Sequence, residues 1–163
     1  MDNPETTTQF RPISLYNTFY KILAKILVNR LCLILKRIIH PTQGAFVPHR
    51  SIHNNILLAH EVMNKFYHFK GKKGYIAIKL DMKKAYNRIK WDFLLKCLTQ
   101  LGYHPIWINW IRECISIVSY SVLVNNEPCG FFKPTRGLRQ GDPLSPYLFL
   151  FCMDVLAQRL SHQ

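Results

Sequence analysis

The sequence predicts an α+β domain, and three observations point to it. Long stretches carry apolar residues at helical spacing; three shorter stretches are rich in β-branched and aromatic residues; and most glycines and prolines punctuate the boundaries of these stretches. Helices flanking a small, mainly antiparallel sheet satisfy that order. With 163 residues, 48% of them hydrophobic and 13% aromatic, the chain has enough apolar material for one core.

The first helix is expected from Asn17 to Ile39. Phe19, Ile22, Leu23, Ile26, Leu27, Leu31 and Ile34 recur near helical spacing, with Lys21, Lys25, Arg30 and Lys36 between them. Pro41, Gly44 and Pro48 break it, and Ser51 caps a second helix through Ile56, Leu57, Leu58 and Val62 to about Tyr67. Gly71 and Gly74 close that unit. Tyr75 to Leu80 is a short β-branched run bounded by glycine, which predicts a buried strand with Asp81 at its exit.

Helix resumes near Trp91, with Phe93, Leu94, Cys97, Leu98 and Leu101 on one face and Gly102 as terminator. Pro105 opens the next helix in the first-turn position that proline favours. SYSVLVN, a polar turn around Asn125, Asn126 and Glu127, and CGFFK predict a hairpin that ends at Pro134. RGLRQGDP is a glycine-punctuated turn, and Pro143 starts a helix so apolar that it must be buried on most sides.

The charge balance is lopsided. Lys and Arg total 22 against 9 acids, a formal net charge of +13, and such an excess concentrates polyanions. Neither long apolar stretch approaches the roughly 20 clean apolar residues of a membrane span. The polar start MDNPETTTQF lacks the basic patch and apolar run of a secretory signal, so an intracellular, nuclear or cytoplasmic protein is expected. The five cysteines are odd in number and never closely paired, which signals neither a disulfide framework nor a zinc knuckle.

Asp81 is the first residue that needs a reason. A carboxylate at the end of a buried strand is costly without a partner, which can be a metal or the turn it caps. On the residues alone, the cap is the commoner role.

Four segments alter that balance: FRPISLYNTFYKILAKILVNRL, HPTQGAFVPHRSI, KLDMKKAYNRIKWDFL and RGLRQGDPLSPYLFLF. In order and spacing they resemble the fingers and palm blocks of reverse transcriptases of the non-long-terminal-repeat, LINE-type retrotransposons. The likeness runs from Phe10 to about Leu160. It implies a fingers-like portion over about 1–74 and a partial palm over about 75–163, incomplete at both ends. It implies an RNA-directed DNA polymerase, a nucleotidyltransferase acting on an RNA template, a DNA primer and deoxynucleoside triphosphates.

The resemblance assigns roles residue by residue. Asp81 becomes a catalytic magnesium ligand, with the carbonyl of Met82 beside it; two such ions about 3.5–4 Å apart stabilise in-line displacement at phosphorus. Tyr86 falls where the family places an aromatic under the sugar of the incoming nucleotide; simple packing of a turn aromatic is the plain alternative. Gln140 and Gly141 correspond to the block along the incoming nucleotide and template. Arg11 resembles a fingers residue on the triphosphate, a task that suits a planar guanidinium. Arg136, Arg139 and the lysines at 70, 72, 73, 83 and 84 are expected on template and primer backbone.

Two departures stand out. The family's aromatic-Ala-Asp-Asp turn does not occur in this sequence, and Asn87 stands where relatives more often carry an acid. With Asp81 alone two dications lack most of their carboxylates, so the polypeptide by itself is expected to be inactive, with a sticky apolar face on its last helix. The rival expectations are a non-catalytic nucleic-acid-binding remnant or interaction module and, behind it, a group II intron maturase.

Overall fold

A computed structural model describes Thr6, residues 13–71 and residues 74–161. Among these are six helices and one two-stranded antiparallel sheet, so the fold is α+β. In chain order they are α1 (Thr18–Ile38), α2 (Ile52–His68), α3 (Ala85–Arg88), α4 (Trp91–Gln100), α5 (Pro105–Ser116), β1 (Tyr120–Val124), β2 (Glu127–Phe132) and α6 (Ser145–Ser161).

Asn17 starts α1 by accepting the Phe19 amide at 2.9 Å, which satisfies one of the orphan donors of the first turn. Ala24, Val28, Leu31 and Leu35 then form one buried stripe. Arg50 closes the other end: its guanidinium donates to the carbonyls of Lys36, Ile39, His40 and Gln43 at 2.7–3.3 Å. A cation over the last carbonyls also opposes the negative end of the helix dipole. Asp154, buried in α6, accepts the His40 amide at 3.0 Å and so pins the same corner to the last helix.

The core joins that stripe to Leu94 and Leu98 of α4, Ile111 of α5, and Leu148 and Phe151 of α6. α4 begins at Trp91 as expected, and Gly102 ends it at φ +79°, a conformation that strains any residue with a Cβ. Pro105 opens α5. The hairpin turns on Asn125 and Asn126, both at positive φ, the geometry whose twist matches the strands. Lower down, β2 carries one extra residue at Gly130, φ +64°, where a bulge breaks the register.

Two expectations need correction. Tyr75–Leu80 is not a buried strand: it belongs to no sheet, and Ile76 is 87% exposed. A strand needs a neighbour for its amides and carbonyls, and the described sheet contains β1 and β2 alone. The sticky apolar face expected on the last helix is largely covered, since Leu148, Leu150, Phe151 and Cys152 are buried. Uncovered apolar surface lies on α2, which buries no residue at all, and also on the outer face of α1, on 75–80 and on the hairpin. The short helix α3 was not foreseen, because four residues carry no periodicity.

Candidate nucleotide and template site

Three of the four sequence blocks meet at the RGLRQGDP turn. The amide of Gly137 donates to the Ile89 carbonyl at 2.7 Å, and that of Leu138 to the Tyr86 carbonyl at 2.9 Å. The indole of Trp91 donates to the Gly137 carbonyl at 2.8 Å. This close docking requires glycine: a Cβ on Gly137, whose φ is +92°, would stand 3.1 Å from the Asn87 backbone. It is the backbone of residue 87 that meets the turn.

From the other side comes the first block. The Ser14 amide at 3.4 Å and the Tyr16 hydroxyl at 3.0 Å both donate to the Gln140 carbonyl. Gly141 sits at φ +95° against Tyr16 and Ser14. Gln140 and Asn87 line a cavity of about 630 Å³ with Arg136 and residues of the hairpin base.

Tyr86 is half-buried, its ring stacked on Phe149 of α6 at 4.8 Å between centroids. Burial raises its phenol above the ordinary value. Asp81 and Met82 are exposed and line a second cavity of about 490 Å³ with Arg88, Phe93, Phe149 and Met153. Asp81 and Gln140 thus line separate cavities, with α3 bonded to the turn of one while its Ala85 and Arg88 line the other. Arg11, Lys72 and Lys73 lie outside the described residues.

The assignment of Arg139 to nucleic-acid backbone does not hold. Its side chain is 9% exposed, its guanidinium lies 4.3 Å from the Tyr20 ring centroid and 5.4 Å from that of Tyr16, and it donates to the Cys114 carbonyl. Its Nε is 3.8 Å from the carboxylate of Asp142, itself 5% exposed. Asp142 in turn accepts the Tyr20 hydroxyl at 2.5 Å and the Leu144 amide at 2.9 Å. Burial, reinforced by the Asp142 carboxylate and opposed by Arg139, pushes the Tyr16 phenol up to about 12. Tyr20 is raised further, first by burial and then by its hydrogen bond to Asp142.

Sequence reasoning missed Asp142, Tyr16 and Tyr20. One signal was available: Asp142 directly precedes Pro143 at a helix start, where an acidic side chain meets free amides.

The chain matches the family model described as reverse transcriptase (RNA-dependent DNA polymerase) over residues 2–163. The chain belongs to the reverse transcriptase family. It is 31% identical over 153 residues to the transposon TX1 uncharacterized 149 kDa protein of Xenopus laevis, covering 89% of this chain and 11% of that protein. It is 32% identical over 151 residues to the retrovirus-related Pol polyprotein from type-1 retrotransposable element R2 of Nasonia vitripennis, covering 93% of this chain and 14% of the relative. A stretch of 35 residues is 60% identical to the uncharacterized mitochondrial protein AtMg01250 of Arabidopsis thaliana, 22% of this chain and 29% of that one. The TX1 and R2 relatives put this reverse transcriptase chain with the LINE-type branch, and it spans only a small part of their length.

Family membership implies divalent ions. Among the described residues no three His, Cys, Asp or Glu side chains cluster closely enough to hold a metal. Asp81 and the Met82 carbonyl are fewer oxygens than magnesium takes from protein and substrate at a two-ion site. The described residues do not by themselves compose one. No described helix is long and apolar enough to cross a membrane.

Proposed function

We propose that this reverse transcriptase chain supplies the fingers-like portion, about 1–74, and part of the palm, about 75–163, of an RNA-directed DNA polymerase. Gln140, Gly141 and Tyr86 line the path of incoming nucleotide and template, with Tyr86 excluding a 2′-hydroxyl. Arg11 meets the triphosphate, and Asp81 with the Met82 carbonyl is the chain's share of the magnesium ligands. The partners are RNA template, DNA primer and deoxynucleoside triphosphates, in an intracellular compartment. What carries this reading is the bonding of the Tyr86 segment and the first block to one turn, Gly137–Gly141: far apart in sequence, they form one hydrogen-bonded unit. The net charge of +13 supports a polyanionic partner.

The test uses the purified 163-residue polypeptide and an RNA template annealed to a DNA primer. Binding is expected to weaken steeply with salt, because cationic side chains displace counterions from phosphates. No primer extension is expected with magnesium, since the ligand set is short. Robust extension by the polypeptide would overturn the incomplete-site reading, and salt-independent binding would overturn the nucleic-acid reading. In an active polymerase containing this segment, Asp81→Asn should abolish synthesis and leave template binding near the parent value; equal synthesis would remove Asp81 from the ligand set.

A further inference from the structure

Arg139 stands next to Gln140 and faces away from solvent, which is an odd place for a guanidinium in a chain that already carries so many free cations. Its surroundings explain it. The helix α5 ends at Ser116, so the Cys114 carbonyl belongs to the last turn and has no partner within the helix. That end of the helix dipole is negative and favours a cation. α6 begins at Ser145, where the dipole is positive, and Asp142 sits there with one oxygen on the Leu144 amide and its own carbonyl on the Ser145 amide at 3.3 Å. Arg139 and Asp142 therefore join the end of one helix to the start of another. The aromatic pair Tyr16 and Tyr20, stacked 5.7 Å apart, covers the guanidinium from the first block.

Gln140 and Gly141 are held between these two anchors. We propose that Arg139 is a positioning residue: a buried latch with Asp142, Tyr16 and Tyr20 that fixes the Gln140–Gly141 turn against the first block. The inference rests on the proposed function for what the turn touches, and on the geometry alone for how the turn is held. The latch needs arginine. A planar fork can lie flat on Tyr20 while reaching the Cys114 carbonyl and the Asp142 carboxylate, whereas an ammonium offers a point charge with neither the plane nor the spread. It also needs the Tyr20 hydroxyl, because an Asp142 oxygen without that donor is buried with its remaining partners too distant to replace it.

Amide hydrogen exchange on the 163-residue chain tests the mechanical half. Arg139→Gln, Arg139→Lys and Tyr20→Phe are each compared with the parent. Exchange at Ser14 and Leu144 should quicken by about ten-fold or more, the equivalent of losing one charge-assisted hydrogen bond. The amides of α4 should stay at parent rates. Unchanged exchange at Ser14 and Leu144, or an equal rise throughout α4, would overturn the latch. Should Arg139→Gln fail to fold, the milder Arg139→Lys and Tyr20→Phe chains decide the matter by the same comparison.

Template-primer binding tests the functional half and separates the two claims. Gln140→Ala and Arg139→Lys should each weaken binding, and the double variant should be no weaker than Gln140→Ala alone, because both act through one side chain. The salt slope should be the same as the parent's in Arg139→Gln. A slope smaller by about 1 with parent-like exchange would make Arg139 a phosphate contact and overturn the proposal. If Gln140→Ala binds like the parent while the exchange pattern appears as expected, the latch stands and the nucleic-acid role of Gln140 falls.

Discussion

The helices α1, α4, α5 and α6 bury a continuous apolar surface between them, whereas α2 and the run from 75 to 80, though they carry many apolar residues, bury nothing. Both regions show the hydrophobic patterns that predict ordered elements. The difference teaches that periodicity specifies which face of an element is to be covered but not what covers it. α1 shows both outcomes on one helix: Ala24, Val28, Leu31 and Leu35 are buried, while Phe19, Leu23 and Leu33 face outward.

The largest expected effect sets a core aromatic against an uncovered one. Phe151 is fully buried beside Tyr103, and Phe151→Ala should cost about 3–5 kcal/mol, from lost transfer free energy and the cavity left behind. Phe131 on the hairpin is 79% exposed, and Phe131→Ala should change stability by less than about 0.5 kcal/mol. Urea unfolding of both variants measures the contrast. Comparable losses would mean that the hairpin surface is covered in solution, and the distinction between the two regions would break.

A middle-sized effect separates the glycine that holds the blocks together from one that holds nothing. Gly137→Ala meets the Asn87 backbone and is strained at φ +92°, so a loss of about 1–3 kcal/mol is expected. A Cβ on Gly74 meets no atom within 4 Å, and Gly74→Ala should be neutral or stabilise by up to about 1 kcal/mol through the unfolded chain. Thermal melts of the two variants should move in opposite directions or differ clearly in size. A Gly137→Ala melt matching the parent would mean that the turn is not docked on α3 as described.

What could be read from the sequence follows the same division. The start of α1 near Asn17, the cap at Ser51, the stop at Gly102, the start at Pro105 and the Asn125–Asn126 turn were legible because each depends on two or three neighbouring residues. The site was legible in part, since the blocks named the turn and the segment around Tyr86, but the bonds that unite them were not. Gly137 meeting Asn87 and Arg139 under Tyr20 are contacts between distant segments, and no local pattern carries them. Arg139 was misread for that reason: in sequence a basic residue beside a glycine turn looks solvated, and only its neighbours in space make it buried. The run at 75–80 failed in the opposite sense, because its local preference for extended structure is real while the partner that would make it a strand is not among the described residues.

The smallest effect tests how far the hairpin is independent of the helices. Asn126 lies at φ +67° in the two-residue turn, a conformation that glycine adopts without a side-chain penalty and that asparagine tolerates. Asn126→Gly should therefore leave global stability within about 0.5 kcal/mol of the parent. Locally it should slow amide exchange in the ladder where Val124 pairs with Glu127, the pair that flanks the turn. Because Val122, Leu123 and Val124 are exposed, that local gain has few contacts through which to reach α4 and α6. If protection in the α4 and α6 amides rose together with that of the hairpin, the two regions would unfold as one unit, and the uncovered face would owe its exposure to surface geometry rather than to weak coupling with the core.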